Sequence, residues 1–243
     1  MSGAPDAAAD FYDAAYRGAD ERHARWRELG AAGKADHVER LLPARQERLV
    51  EIGCGDGALL AELARRGVAG SLAGYDVSDE AVRIARARGV AADPFDGRRL
   101  PVADDAFDCA VLSHVLEHVA DPAALLGEAA RVAPLVVVEV PLEASVSGRR
   151  ASRRERAARI GHVHALDRPA VRSLVADAGL RITDELMDPL PAAVHMFFAT
   201  TARERAVARV KAAVRRGVFA ASPALAARLF TVHYACVCRR AGA

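Results

Sequence analysis

The run Leu49-Val50-Glu51-Ile52-Gly53-Cys54-Gly55-Asp56-Gly57, continuing at once into Ala58-Leu59-Leu60-Ala61-Glu62-Leu63, constrains the fold of this chain more than any other stretch. It reads as a short buried strand, a turn with glycines at alternate positions, and a helix with apolar periodicity. Glycines there let the backbone reverse sharply and let its N–H groups approach a ligand that any Cβ would hold off. A dinucleotide-binding turn shows its third glycine one residue later, in the G-x-G-x-x-G spacing that receives a pyrophosphate. Here the spacing is Glu-x-Gly-x-Gly-x-Gly.

Strands and helices alternate beyond this turn. Ser71 to Asp76 reads as a second strand, and Ser78 as the N-cap of a helix over Glu80–Arg88 that Gly89 closes. A short strand follows near Val90–Ala92 and another over Ala106–Leu112. Asp121-Pro122 opens a helix, with a capping acceptor before a first-turn proline. Leu135 to Val140 is a nearly unbroken β-branched run, as expected for a central parallel strand covered on both faces. Next come a basic loop over Ser145–Ile160, a helix ending at Gly179, and a strand around Leu180–Leu186. Residues 192–230 read as mostly helical, and Thr231 to Cys238 as a last strand. This order implies a doubly wound sheet with right-handed crossovers. A chain of 243 residues suits a single domain of this kind. We divide it into a helical cap (1–46), a core (47–189), a helical insertion (190–230) and a final strand (231–243).

A net charge of +2 gives no polyanion-binding signature, and no aromatic-basic platform recurs, so nucleic acid is not an expected partner. No segment offers the roughly eighteen uninterrupted apolar residues of a spanning helix, and the N-terminus lacks a signal-peptide apolar region. Cys54, Cys109, Cys236 and Cys238 are too few and too scattered for a disulfide scaffold or a metal site. Reduced, structural thiols in a cytoplasmic protein are expected, with no bound metal.

The glycine turn resembles motif I of class I S-adenosylmethionine-dependent methyltransferases, and three further stretches resemble the same family in order. They are Asp96-Gly97-Arg98-Arg99-Leu100-Pro101 through Phe107-Asp108, then Leu112-Ser113-His114-Val115-Leu116-Glu117-His118-Val119, and Gly161-His162-Val163-His164. Together they span about residues 49–182. The resemblance implies a seven-stranded Rossmann-like sheet whose last strand is antiparallel, and S-adenosylmethionine as cofactor. Gly53, Cys54, Gly55 and Gly57 would pass the backbone along the methionine part of that cofactor. Glu51 would receive its ammonium group, Asp76 its ribose hydroxyls, and Val77 would pack on the adenine. Asp96, beside Gly97, would hold the adenine amino group, with Asp93 as the other acid in range. The turn at Leu112-Ser113 would lie beside the sulfonium.

A phenol or alcohol acceptor benefits from a general base, for which histidine is the natural side chain. His114 and His162 are the catalytic candidates, whereas His118 is expected to serve architecture by bonding a loop carbonyl. His162 and His164 alternate, so only one of them should face the pocket. Phe11, Tyr12, Tyr16 and Trp26 either close the pocket as a lid or simply pack the N-terminal helices. Arg149–Arg159 and Arg203–Arg216 read first as solvated faces, and second as attraction for an acidic acceptor. The expected activity is methyl transfer to an oxygen or nitrogen of a small molecule, in secondary metabolism. A NAD-linked oxidoreductase and a non-catalytic cofactor-binding protein are the alternative readings.

Overall fold

The structure, a computed structural model, describes residues 4–241. Two helices lead, α1 (Ala4–Arg17) and α2 (Glu21–Leu41), before the alternating core begins with β1 (Gln46–Ile52), α3 (Ala58–Arg66), β2 (Ala69–Asp76), α4 (Asp79–Ala87) and β3 (Ala92–Pro94). The second half runs β4 (Cys109–Ser113), α5 (Pro122–Val132), β5 (Leu135–Pro141), α6 (Ala151–Arg159), α7 (Arg168–Asp177) and β6 (Leu180–Pro189). Three helices, α8 (Ala192–Met196), α9 (Ala202–Ala221) and α10 (Pro223–Leu229), precede β7 (Val232–Arg240).

All seven strands form one sheet in the order β3-β2-β1-β4-β5-β7-β6. β7 is inserted antiparallel between β5 and β6, and the other neighbours from β3 to β5 run parallel. The chain moves outward one way from β1 through β2 to β3 and then crosses back to β4. That reversal opens a crevice at the carboxyl ends of β1 and β4, where α/β sheets bind ligands.

Side-chain alternation splits the core into two layers. Val50, Ile52, Val136, Val138 and Val140 face the layer that includes α5 and α7. Leu49, Cys109, Val111, Val137, Ala235 and Val237 face the layer that includes α2 and α3. Every residue of β5 is buried, as its β-branched run requires, and each such side chain stabilises the fold by about 1.5–3 kcal/mol. Ala35 of α2 has no exposed surface, so its small side chain lets that helix lie directly on the sheet.

Local chemistry fixes the element boundaries. Ser78 and Asp121 cap α4 and α5 by accepting the N–H of Ala81 and Ala124, and Gly67 ends α3 in the left-handed region at φ +67°. β1 starts three residues before Leu49, because Gln46 already pairs with Ala69 at the exposed end of the strand. One expectation is overturned. The basic stretch read as a loop contains α6, a helix with no buried residue, whose polar composition gave no apolar period to reveal it.

Candidate active site

The glycine turn leaves β1 with Gly53, Gly55 and Gly57 at φ +76°, +54° and +73°, the left-handed region that costs a side chain about 1–2 kcal/mol. Space is equally restrictive. A Cβ on Gly53 would lie 2.6 Å from Val115 Cγ2, one on Gly57 would lie 2.6 Å from Val90 Cγ2, and one on Gly55 would strike the Tyr16 hydroxyl. Asp76 ends β2 across the crevice. Its Oδ2 accepts the Gly55 N–H at 2.7 Å and its Oδ1 accepts the Ser78 N–H at 2.9 Å. Asp56 pins the turn from outside, accepting from Arg27 Nε at 2.7 Å and Arg88 Nη2 at 3.0 Å.

Residues expected beside this turn divide into those it brings together and those it does not. Val77 packs within 3.1 Å of the position a Gly97 Cβ would take, so Gly97 closes the far end of the crevice. Asp96 is exposed and its Oδ1 accepts the N–H groups of Arg98 and Arg99, so part of its carboxylate shapes its own turn. Asp93 instead pairs with Arg86 on the outer side of α4. Cys54 borders the turn through its backbone. Its thiol points into the core, against the space where Gly74 has no Cβ.

A row of polar residues crosses the sheet at its carboxyl edge. Glu51, Ser113, Glu139 and His233 follow the alternation of Leu49, Val111, Val137 and Ala235, so all four point toward the α2 side. Ser113 Oγ donates to Glu139 Oε2 at 3.0 Å. Glu51 Oε2 is buried with no hydrogen-bond partner, and burial pushes its carboxyl up to about 8. Lys34 of α2 counters part of that shift and also acts on His114, Glu117 and His118.

His114 follows β4 at φ +59°, a conformation histidine tolerates better than most residues. The turn aims its ring between two acids, with Nδ1 3.5 Å from Glu117 Oε1 and Nε2 3.7 Å from Glu139 Oε1. Burial drives His114 down to about 3, so the ring is neutral at physiological pH. Glu117 is 1% exposed, neither carboxylate oxygen has a hydrogen-bond partner, and burial raises it to about 7.

His162 Nδ1 lies 2.7 Å from Glu143 Oε2, and its ring meets that of His118 edge-on with centroids 4.5 Å apart. Burial lowers the His162 ring, but Glu143 outweighs it and the net shift is upward. The alternation expected of this segment holds: His164 turns away, and its Nε2 lies 3.0 Å from the Val119 carbonyl. His118 lies beside His162. Its Nδ1 lies 2.8 Å from the Tyr12 hydroxyl, and a hydrogen bond to the Gly161 backbone opposes the downward shift that burial imposes on the ring. Tyr12 and Tyr16 of α1 thus close over the crevice, while Asp13 ties the same helix to α4 through Ser78 Oγ and the Glu80 N–H. Trp26 does the blander task of packing on Phe197 and Phe198.

Sequence reading missed Lys34, His37, Glu117, Glu139 and His233 as crevice residues. Glu139 carried a usable signal, an acid inside an otherwise apolar buried strand, which must find partners. His37 and His233 carried none, because their neighbours in space are remote in sequence.

The crevice fits S-adenosylmethionine on two observations: a cradle that any Cβ would fill, and a buried carboxylate oxygen without a partner where a cationic amine binds. Comparison with known proteins agrees. A family profile described as a methyltransferase domain matches residues 22–185. A ubiquinone biosynthesis O-methyltransferase of Hahella chejuensis is 30% identical over 107 residues, which cover 41% of this chain and 44% of that one. The chain spans less than half the length of the curated relatives it first matches. Among solved structures, an S-adenosylmethionine-dependent methyltransferase of Thermotoga maritima superposes with TM-score 0.62 at 18% identity, covering 90% and 93% of the two chains. Geranyl diphosphate C-methyltransferase of Streptomyces coelicolor, solved with S-adenosylhomocysteine, superposes with TM-score 0.63 at 15% identity over 86% and 79%. No helix among the described residues is long and apolar enough to cross a membrane. The chain belongs to the methyltransferase domain family.

Proposed function

We propose that this enzyme methylates an oxygen of a small molecule that sits between His114, Glu117 and His162. The observation that carries the reading is Glu117, a buried carboxylate with both oxygens unpartnered. A buried polar group without a partner costs about 1–3 kcal/mol or more, so such a group points to a ligand that satisfies it. When bound, the cofactor supplies a methyl group already activated on sulfur. The chain has to hold it, align the acceptor, exclude water and take up the acceptor's proton.

Holding falls to the first half of the crevice. The backbone at Gly53, Cys54, Gly55 and Gly57 lines the methionine part, and Glu51 Oε2 receives the ammonium. Asp76 exchanges its contact with the turn for the ribose hydroxyls. Val77, Gly97 and Asp96 bound the adenine, and the backbone of Leu112 and Ser113 runs beside the sulfur. Glu117 accepts the acceptor's hydroxyl proton, and His162, oriented by Glu143, positions that hydroxyl. His114 is neutral and forms the wall between them. Tyr12 and Tyr16 seal the crevice against water, which suits a small acceptor better than a polymer. The cap (1–46) and the insertion (190–230) supply the surfaces that choose it, and a place in secondary metabolism and in the cytoplasm is part of this reading. The name of the Hahella relative supports oxygen over nitrogen.

Purified enzyme given S-adenosylmethionine and a panel of phenols, aliphatic alcohols and amines tests the proposal. Turnover on hydroxyl acceptors, lost in Glu117→Gln with cofactor affinity retained, is expected. Turnover confined to amines, or undiminished in Glu117→Gln, would contradict it.

A further inference from the structure

Three imidazoles converge on one carboxylate oxygen behind the acceptor site. Glu139 Oε1 lies 3.0 Å from His37 Nδ1, 3.3 Å from His233 Nδ1 and 3.7 Å from His114 Nε2. The first three of these ligand atoms all fall within 4.8 Å of one another. His114 Nε2 is buried and has no hydrogen-bond partner. We propose that His37, Glu139 and His233 form a binding site for a divalent transition metal ion of the zinc or iron(II) type, with the fourth position open toward His114.

Three arguments separate such a site from a hydrogen-bond network. Glu139 Oε1 faces His37 Nδ1 and His233 Nδ1, and the buried His114 Nε2 beside them at 3.7 Å is left without a hydrogen bond, as a missing ligand would leave it. A tetrahedral ion with bonds of about 2.1 Å separates its ligand atoms by about 3.4 Å; Glu139 Oε1 lies 3.0 and 3.3 Å from the two histidine nitrogens, which lie within 4.8 Å of each other. The outer shell is also built. His37 Nε2 lies 3.2 Å from Asp188 Oδ2, and the far oxygen of Glu139 accepts from Ser113 at 3.0 Å. Metal-bound histidines and carboxylates are oriented by such partners.

Two imidazoles with one carboxylate favour zinc, iron(II), cobalt or nickel over magnesium, which prefers oxygen ligands. A groove of about 350 Å³ lined by Asp36, His37, Glu39, Arg40 and Asp188 leads from solvent to the His37–Asp188 pair, giving the ion a way in. The ligands come from α2, β5 and β7, so no local spacing could announce them. The site stands whichever acceptor the enzyme uses.

The test is titration of the full-length protein, stripped with a chelator, with Co²⁺ followed by visible absorption, then competition with Zn²⁺. One equivalent should bind with the intense bands of a tetrahedral site, and Zn²⁺ should displace it. His233→Gln should abolish the bands. Asp188→Asn, at a half-exposed position that the fold tolerates, should weaken binding by about tenfold to a hundredfold. S-adenosylhomocysteine binding by each variant confirms folding independently. Absence of saturable binding would overturn the proposal. So would bands that survive both substitutions, or bands lost only in His118→Gln, which would place the ion in the neighbouring Glu117–His118–His162 cluster.

Discussion

On the β1–β2 side of the crevice, the lining residues lie within one stretch of chain, from Glu51 to Gly97. On the β4–β5–β7 side, His37, His114, Glu117, Glu139, His162 and His233 are drawn from across nearly 200 residues. The first side is mostly backbone: three glycines in strained turns, with one acid opposite. The second is side chains, dense in titratable groups and poor in glycine. A cofactor of fixed shape calls for a fixed cradle, whereas an acceptor that varies between relatives is met by side chains that can be exchanged without disturbing the sheet.

The two sides should fail in different ways. The largest effect is expected on the acceptor side. Glu117→Gln should lower kcat by about 100-fold or more, the usual scale for losing a general base, with S-adenosylmethionine affinity unchanged. On the cofactor side, Asp76→Ala removes two charge-assisted bonds to ribose at about 1.5–3 kcal/mol each. Calorimetry should then show affinity falling on the order of 100-fold or more. If each substitution changed both quantities equally, the division between the two sides would be wrong.

A smaller effect follows from Glu51. Burial holds its carboxyl up at about 8, against the pull of Lys34, and Asp76, Asp56 and Glu139 push it the same way. Only the carboxylate form pairs with the cofactor's ammonium, so binding below pH 8 must release a proton. Affinity should therefore rise between pH 6 and pH 8, by at most about tenfold per pH unit, and Glu51→Gln should flatten the profile. Affinity that falls over this window in the parent enzyme would refute the assignment. The smallest effect concerns the covering helix. Tyr12→Phe removes one hydrogen bond, worth about 1 kcal/mol, and should speed release of S-adenosylhomocysteine about fivefold in stopped-flow measurements. An unchanged rate would mean that α1 packs on the crevice without gating it.

The same contrast explains what could be read from the sequence. The sheet, its switch point and the glycine turn were legible because each rests on local chemistry: alternation along β1, capping by Ser78 and Asp121, and positive φ at three glycines. The acceptor side was legible only at His114 and His162, which sit in stretches with recognisable neighbours. The Tyr12 partner of His118 was not legible, because it is 106 residues away. The direction of the Cys54 thiol was not legible, because a turn residue's backbone and thiol can face opposite sides, and Gly74 opens the space that takes the thiol. Helix α6 escaped notice because an exposed helix needs no apolar period.

Calorimetric titration with S-adenosylhomocysteine, set beside NAD, tests the central claim most directly. The account predicts one saturable site for S-adenosylhomocysteine, weakened in Asp76→Ala, and no binding of NAD. No heat with S-adenosylhomocysteine, or equal binding by the Asp76→Ala variant, would contradict it.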